Sequence, residues 1–320
     1  MRFRAACVLA VSAVICSVSA AAQTAAAATQ VAPDSTPIED IVVVGAATQR
    51  SPQTYARTIS SGPMGRLSPR WNDRLCVRVI NLDAEHAALL KDRIETVARA
   101  IGLSPEASPT CLPDIAIYAT DDPDALAATL IETAPRSFRP ARRSVTLGDE
   151  ALESFRTSDA PVRWWQVSLP LMVDSGMPAI TLSANGATDP MARSVSVEHG
   201  SRLRGNVRDD LIGVTIVIDT GKLNDVPFGA VSDYIAFVAL APADPRIPTG
   251  DFDTVLNLFD RTGVTGLTSI DEDYLYALYT ASRAPTSAAL QAAEIAHRME
   301  MERRRRNAAN TQAVTVANRP

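Results

Sequence analysis

The run from Leu211 to Ala241 constrains the fold more than any other stretch. Its first part, Ile212 to Ile218, is an apolar, β-branched run of the kind that suits a strand covered on both faces. Asp219-Thr220-Gly221 then forms a turn. The second part, Phe228 to Leu240, spaces Val231, Tyr234, Ile235, Val238 and Ala241 in steps of three and four, which predicts a helix with one buried face. Pro242 and Pro245 stop it. A central strand that delivers a helix points to a layered domain, and polar Ser232 and Asp233 sit on that helix.

Upstream, the pattern alternates. Leu75 to Leu82 reads as a strand, and Asp83 caps a helix whose stripe is Leu90, Ile94, Val97 and Ile101, ended by Gly102. Asp114 to Thr120 is a second strand, and Asp122-Pro123 opens a short helix carrying Leu126, Leu130 and Ile131. Val162 to Leu169 places Trp164 and Trp165 on opposite faces of a third strand, which favours packing over sugar stacking. Asp174 to Asn206 is rich in turn formers and reads as loops around one edge hairpin. Downstream, Phe252 to Asp260 reads as a short helix, Ser269 as the cap of a helix carrying Tyr274 and Leu278, and Thr286 to about Arg306 as a last helix with a stripe of Leu290, Ile295 and Met299. The arginines 303–306 suit the negative end of that helix. The fold class expected is α+β: a mixed sheet, a long helix after the first strand and a helical C-terminal part.

The two ends read differently. Met1 to Ala22 has two arginines, an apolar run and a small-residue exit, the pattern of a cleaved secretory signal. The expectation is a periplasmic or secreted protein without a further membrane-spanning segment. Residues 23–66 read as a disordered tether, 67–306 as a single α+β domain and 307–320 as a disordered tail. Losing the leader takes the formal charge of -5 two units further negative, which argues against a nucleic-acid partner. Of the four cysteines, Cys76 and Cys111 remain, and an oxidising compartment would join them in a disulfide. No Cys-x-x-Cys spacing suggests redox chemistry.

Several resemblances bear on function. Pro37 to Gly45, with Ile41, Val42, Val43 and Val44 after Glu39 and Asp40, resembles the N-terminal segment that TonB-dependent outer-membrane receptors offer as an added strand. The resemblance makes those four residues a partner-binding candidate, although no barrel pattern follows. The element order from Leu75 to Arg283 resembles the catalytic domain of zincin-type metallopeptidases, and Leu267-Thr268-Ser269-Ile270-Asp271 with Tyr274-Leu275 looks like the ending of some secreted bacterial peptidase-like proteins. The zincin layout implies a helix bearing His-Glu-x-x-His after the last strand. Here that helix reads Ser232-Asp233-Tyr234-Ile235-Ala236-Phe237, and the three histidines, His86, His199 and His297, have no ligand spacing. The sequence therefore predicts no metal and no other cofactor.

Other chemistries lack a full set of groups. Ile216 to Gly221 looks like the Asp-Thr-Gly signature of aspartic peptidases, which needs two such aspartates, and the chain has one. No Gly-x-Ser-x-Gly or glycine-rich phosphate loop is present. Arg136, Arg139, Arg142 and Arg143 read as solvated surface. The acidic clusters Asp209-Asp210 and Asp271-Glu272-Asp273 could furnish paired carboxylates for glycoside hydrolysis, but adjacent acids are also what the dipole of a helix start favours. The leading expectation is a non-catalytic binding scaffold with an unknown protein or small-molecule ligand. Its enzyme rival is a carboxylate-dependent hydrolase with Asp219 and Asp233 as the residues to test. A third reading is an interaction module acting through residues 38–45.

Overall fold

A four-stranded mixed sheet organises the chain, its strands contributed in the order first, second, fourth and third along the sequence. The computed structural model describes residues 51–317 except 61, 109, 141–144, 180–203 and 224, and all of these belong to one compact unit. In chain order the elements are α1 (Pro52–Ile59), β1 (Arg74–Leu75), β2 (Val77–Ile80), α2 (Ala84–Ala100), β3 (Ser104–Pro105) and β4 (Ile115–Thr120). They continue with α3 (Pro123–Thr133), α4 (Pro135–Phe138), α5 (Asp149–Thr157), β5 (Val162–Met172) and β6 (Val207–Asp219). The last three are α6 (Phe228–Leu240), α7 (Ser269–Thr280) and α8 (Ala288–Ala317). The mixed α+β class and helical C-terminal part are those read from the sequence.

Strands β2, β4 and β6 run parallel, and β5 closes one edge antiparallel to β6, with a register irregularity at Val167/Ser168. The short pair β1 and β3 forms a separate parallel ladder. As its β-branched run predicts, β6 is interior, and from Val214 to Ile218 it feeds cores on both faces, although Ile212 at the start of that run is 48% exposed. Ile216 and Ile218 enter the larger core with α2, α6 and α7, whereas Val217 enters a smaller core with α3, α4 and α5. Trp164 and Trp165 follow the same alternation, one in each core.

Helix α2 starts where Asp83 accepts a hydrogen bond from the His86 amide and ends at Gly102, whose φ of 86° suits a residue without Cβ. Leu90, Ile94 and Val97 form its buried stripe. Helix α6 has the predicted bounds but a different environment. Every residue from Ala230 to Leu240 except Asp233 is buried, because the sheet, α2 and α7 surround it.

Six expectations are corrected, the last of them at Asp209-Asp210. The folded body starts earlier than residue 67, since α1 buries Tyr55, Ala56 and Ile59 and packs against α8. Within Phe252 to Asp260 only Val255–Asn257 makes a helical turn, of the 3-10 type. Thr268, not Ser269, caps α7, in a reciprocal capping box with Asp271. Helix α8 continues to Ala317, so residues 303–306 lie mid-helix and are paired with Glu300, Glu302, Glu272 and Asp273 rather than with a helix end. In the same helix Leu290 is exposed, and Gln291 takes its place in the packing by bonding both backbone groups of Ser68.

The pair Asp209-Asp210 lies in β6 and not at a helix start. Both carboxylates are buried and neutralised by arginines: Arg66 meets Asp209, while Arg208 and Arg283 reach Asp210 at 3.2 and 2.7 Å. Buried charges persist only with such compensation. Residues 1–50, with the signal, most of the tether and Ile41 to Val44, lie outside the described residues, as do Arg142, Arg143, His199 and most of the Asp174 to Asn206 segment.

Candidate functional site

In open sheets the crevice beyond the carboxyl ends of parallel strands is the usual place for a ligand. Here that end carries Ile80, Thr120 and Asp219, and the antiparallel β5 begins beside them, with Val162 paired to Ile218. A cavity of about 480 Å³ opens at this β5 corner. Its walls come from the Ser158–Trp164 segment, from Tyr234 of α6 and from the loop Asp244–Asp260. The size falls in the ordinary range for small-molecule sites.

Side chains of β5 hold these walls together. The Trp164 Nε1–H donates to the Ala243 carbonyl at 2.8 Å, and buried Gln166 donates to the carbonyls of Val238 and Ala241 at 2.7 and 2.8 Å. These bonds satisfy the carbonyls left open at the end of α6 and anchor the loop that follows. Further along, the Asn257 amide donates to Thr249 and Phe252 carbonyls at 3.1 and 2.8 Å, which fixes the far wall.

Tyr234 is the distinctive group. Its side chain is 94% buried by virtue of a 6% exposure, and its ring meets Trp164 and Phe259 edge-on at centroid distances of 6.1 and 5.0 Å. Among the described residues its hydroxyl has no hydrogen-bond partner. Burial pushes the phenol well above its usual pKa, and the neighbouring Asp260 carboxylate pushes it in the same direction, so the group stays protonated. A tyrosine this deeply set normally bonds its hydroxyl within the protein, whereas this residue lines the cavity without such a bond among the described residues.

The carboxylates singled out from the sequence lie elsewhere and are engaged separately. Asp219 accepts from the Gly221 amide at 3.0 Å and faces Lys222 at 3.4 Å, as its turn-forming role predicts. Asp233 pairs with Arg93 of α2 and accepts from the Leu267 amide at 3.0 Å. Among the described residues, no hydrogen bond or ion pair joins Asp219 to Asp233. Gly266 passes directly beneath Asp233, where an added Cβ would collide with the carboxylate, and its φ is 156°. Gly266→Ala is therefore expected to lower stability by about 1–3 kcal/mol, measured by urea unfolding, as an overpacked and conformationally strained position does.

Cys76 and Cys111 form the disulfide, with Cα atoms 6.1 Å apart. It fastens the start of β2 to the segment before β4. His86 pairs with Asp83 and packs edge-on against Phe228, and His297 is exposed on α8. Among the described residues no three His, Cys, Asp or Glu side chains gather as a metal site, and no helix is long and apolar enough to cross a membrane. Sequence reading placed Tyr234 in the core and overlooked its hydroxyl, and it passed over Asp159, Asp244 and Asp260 because they lie in loops without a motif. Comparisons with protein-family models, with curated proteins and with solved structures find no match.

Proposed function

We propose that this chain is an exported, non-catalytic binding protein of the periplasm or envelope, built on a peptidase-like layout, and that the cavity beside β5 is where it binds. The observation that carries the reading is Tyr234, a residue only 6% exposed in the wall of a small-molecule-sized cavity, whose hydroxyl has no hydrogen-bond partner among the described residues. A phenol hydroxyl that makes no bond within the protein keeps its donor and its acceptor lone pairs for a ligand in the cavity. The layout reading draws support from three parallel strands, an antiparallel edge strand and a helix following the strand beside that edge. Export draws support from the leader-like N-terminus and the disulfide.

A panel of small polar organic molecules screened by thermal shift tests this reading. Members that bind are expected to raise the melting temperature of the wild type and to leave Ala160→Trp, which blocks the cavity mouth, unmoved. Stabilisation of both proteins alike would place binding elsewhere.

A further inference from the structure

The charges around the cavity are not equally committed. Asp159 faces Lys222, Asp244 is paired with Arg246 at 2.7 Å, and Arg163, the one arginine among the described lining residues, reaches away to Asp124 at 2.6 Å and to the Arg156 carbonyl at 3.0 Å. Asp260 is the exception: among the described residues its carboxylate makes no ion pair. It stands close enough to Tyr234 to act on the phenol electrostatically. Between them, the cavity presents a full negative charge and a hydroxyl oxygen with free lone pairs. The adjoining wall is apolar, formed by Val162, Ile247, Leu256 and Phe259.

We infer that the ligand is a small organic ammonium ion carrying a short apolar stem, with its N–H groups directed to Asp260 and the Tyr234 hydroxyl and its stem against Val162, Ile247, Leu256 and Phe259. The inference rests on the reading of the cavity as the binding site. An ammonium offers three donors and no acceptor, which matches a carboxylate and a phenol oxygen. An anion would face three lining aspartates, while among the described lining residues the one arginine, Arg163, turns its Nη1 to Asp124 and has its Nε buried. A neutral alcohol satisfies the phenol but leaves the free carboxylate without a counter-charge.

Three probes of one shape separate these cases: n-butylammonium, n-butanol and butyrate, titrated into the protein and followed through the backbone amide resonances of Asp159, Ala160, Val162, Arg163, Trp164 and Asp260. Butylammonium is expected to shift those resonances and to bind about tenfold more tightly than butanol, the increment typical of a hydrogen bond to a charged group. Asp260→Asn, a change at an exposed position, is expected to abolish that preference, so that butylammonium binds no more tightly than butanol. Tyr234→Phe is expected to weaken butylammonium by a further few-fold. Butanol or butyrate binding as tightly as butylammonium, or a preference that survives in Asp260→Asn, would overturn the ammonium assignment while leaving the cavity as the site. If no probe moves those resonances, both the assignment and the site reading fall.

Discussion

Asp271→Ala is expected to destabilise the chain by about 3–5 kcal/mol, a large share of the roughly 5–15 kcal/mol that holds a domain together. The carboxylate is fully buried and gathers donors from three separate parts of the chain. Tyr55 of α1 donates to it at 2.7 Å, Thr254 at 2.6 Å and the Val255 amide at 2.7 Å. Thr268 donates through its amide at 3.0 Å and its hydroxyl at 2.8 Å. Removing the acceptor strands the Val255 and Thr268 amides and leaves the hydroxyls only their second partners, the Asp253 carbonyl for Thr268 and each other for Tyr55 and Thr254, whereas Tyr55→Phe removes one donor and is expected to cost only about 1 kcal/mol. Denaturant unfolding of the two variants distinguishes a shared hub from a sum of local caps.

The same carboxyl has a pH signature. Burial, the largest influence, pushes its pKa above the ordinary carboxylate value, against the pull of its hydrogen bonds. The folded chain then holds this proton more tightly than the unfolded chain. The contribution is therefore present at low pH and is lost as pH rises through the raised pKa. Mild acid is expected to take no stability from this group.

Removal of the disulfide is the second large effect. The bridge spans 35 residues, so losing it in Cys76→Ser/Cys111→Ser is expected to cost about 3–4 kcal/mol by freeing the unfolded chain. Local structure should survive. The Cys76 carbonyl still accepts from the Asp114 and Ile115 amides at 3.0 Å each, and the residue 76 amide still donates to Asp114, at 2.7 Å. The expected result is a lower urea midpoint with a steeper dependence on denaturant, since the unfolded ensemble expands. An unchanged midpoint would mean that the bridge constrains little that the sheet does not already hold.

The legible parts of the fold were those set by local pattern. Alternation in β4 and β6, the stripe of α2 and the prolines after α6 reflect neighbours a few residues apart. What escaped notice depends on distant partners. Nothing near Tyr55 signals a helix that docks through a hydrogen bond to a residue 216 positions away. The length of α8 escaped because arginines 303–306 suit a helix end by charge alone; Glu300 and Glu302, three and four residues from them, support a continuing helix instead. Asp209 and Asp210 likewise read as a helix start until Arg66 and Arg283 arrived from opposite parts of the chain. The candidate site was legible only as a region. The central strand pointed to the right end of the sheet, but Asp219 and Asp233 are held in structural bonds, and the cavity is made by loops that no motif marks.

Metal content tests the central claim, a peptidase-like layout used for binding without a catalytic metal, most directly. The chain is to be purified without a histidine tag or added chelator and analysed for bound metal by mass spectrometry. The expected result is zinc, and any other transition metal, far below one equivalent per chain, since His86 and His297 stand on different helices and no ligand cluster forms among the described residues. One equivalent of zinc that survives gel filtration would contradict the account and reopen a peptidase mechanism.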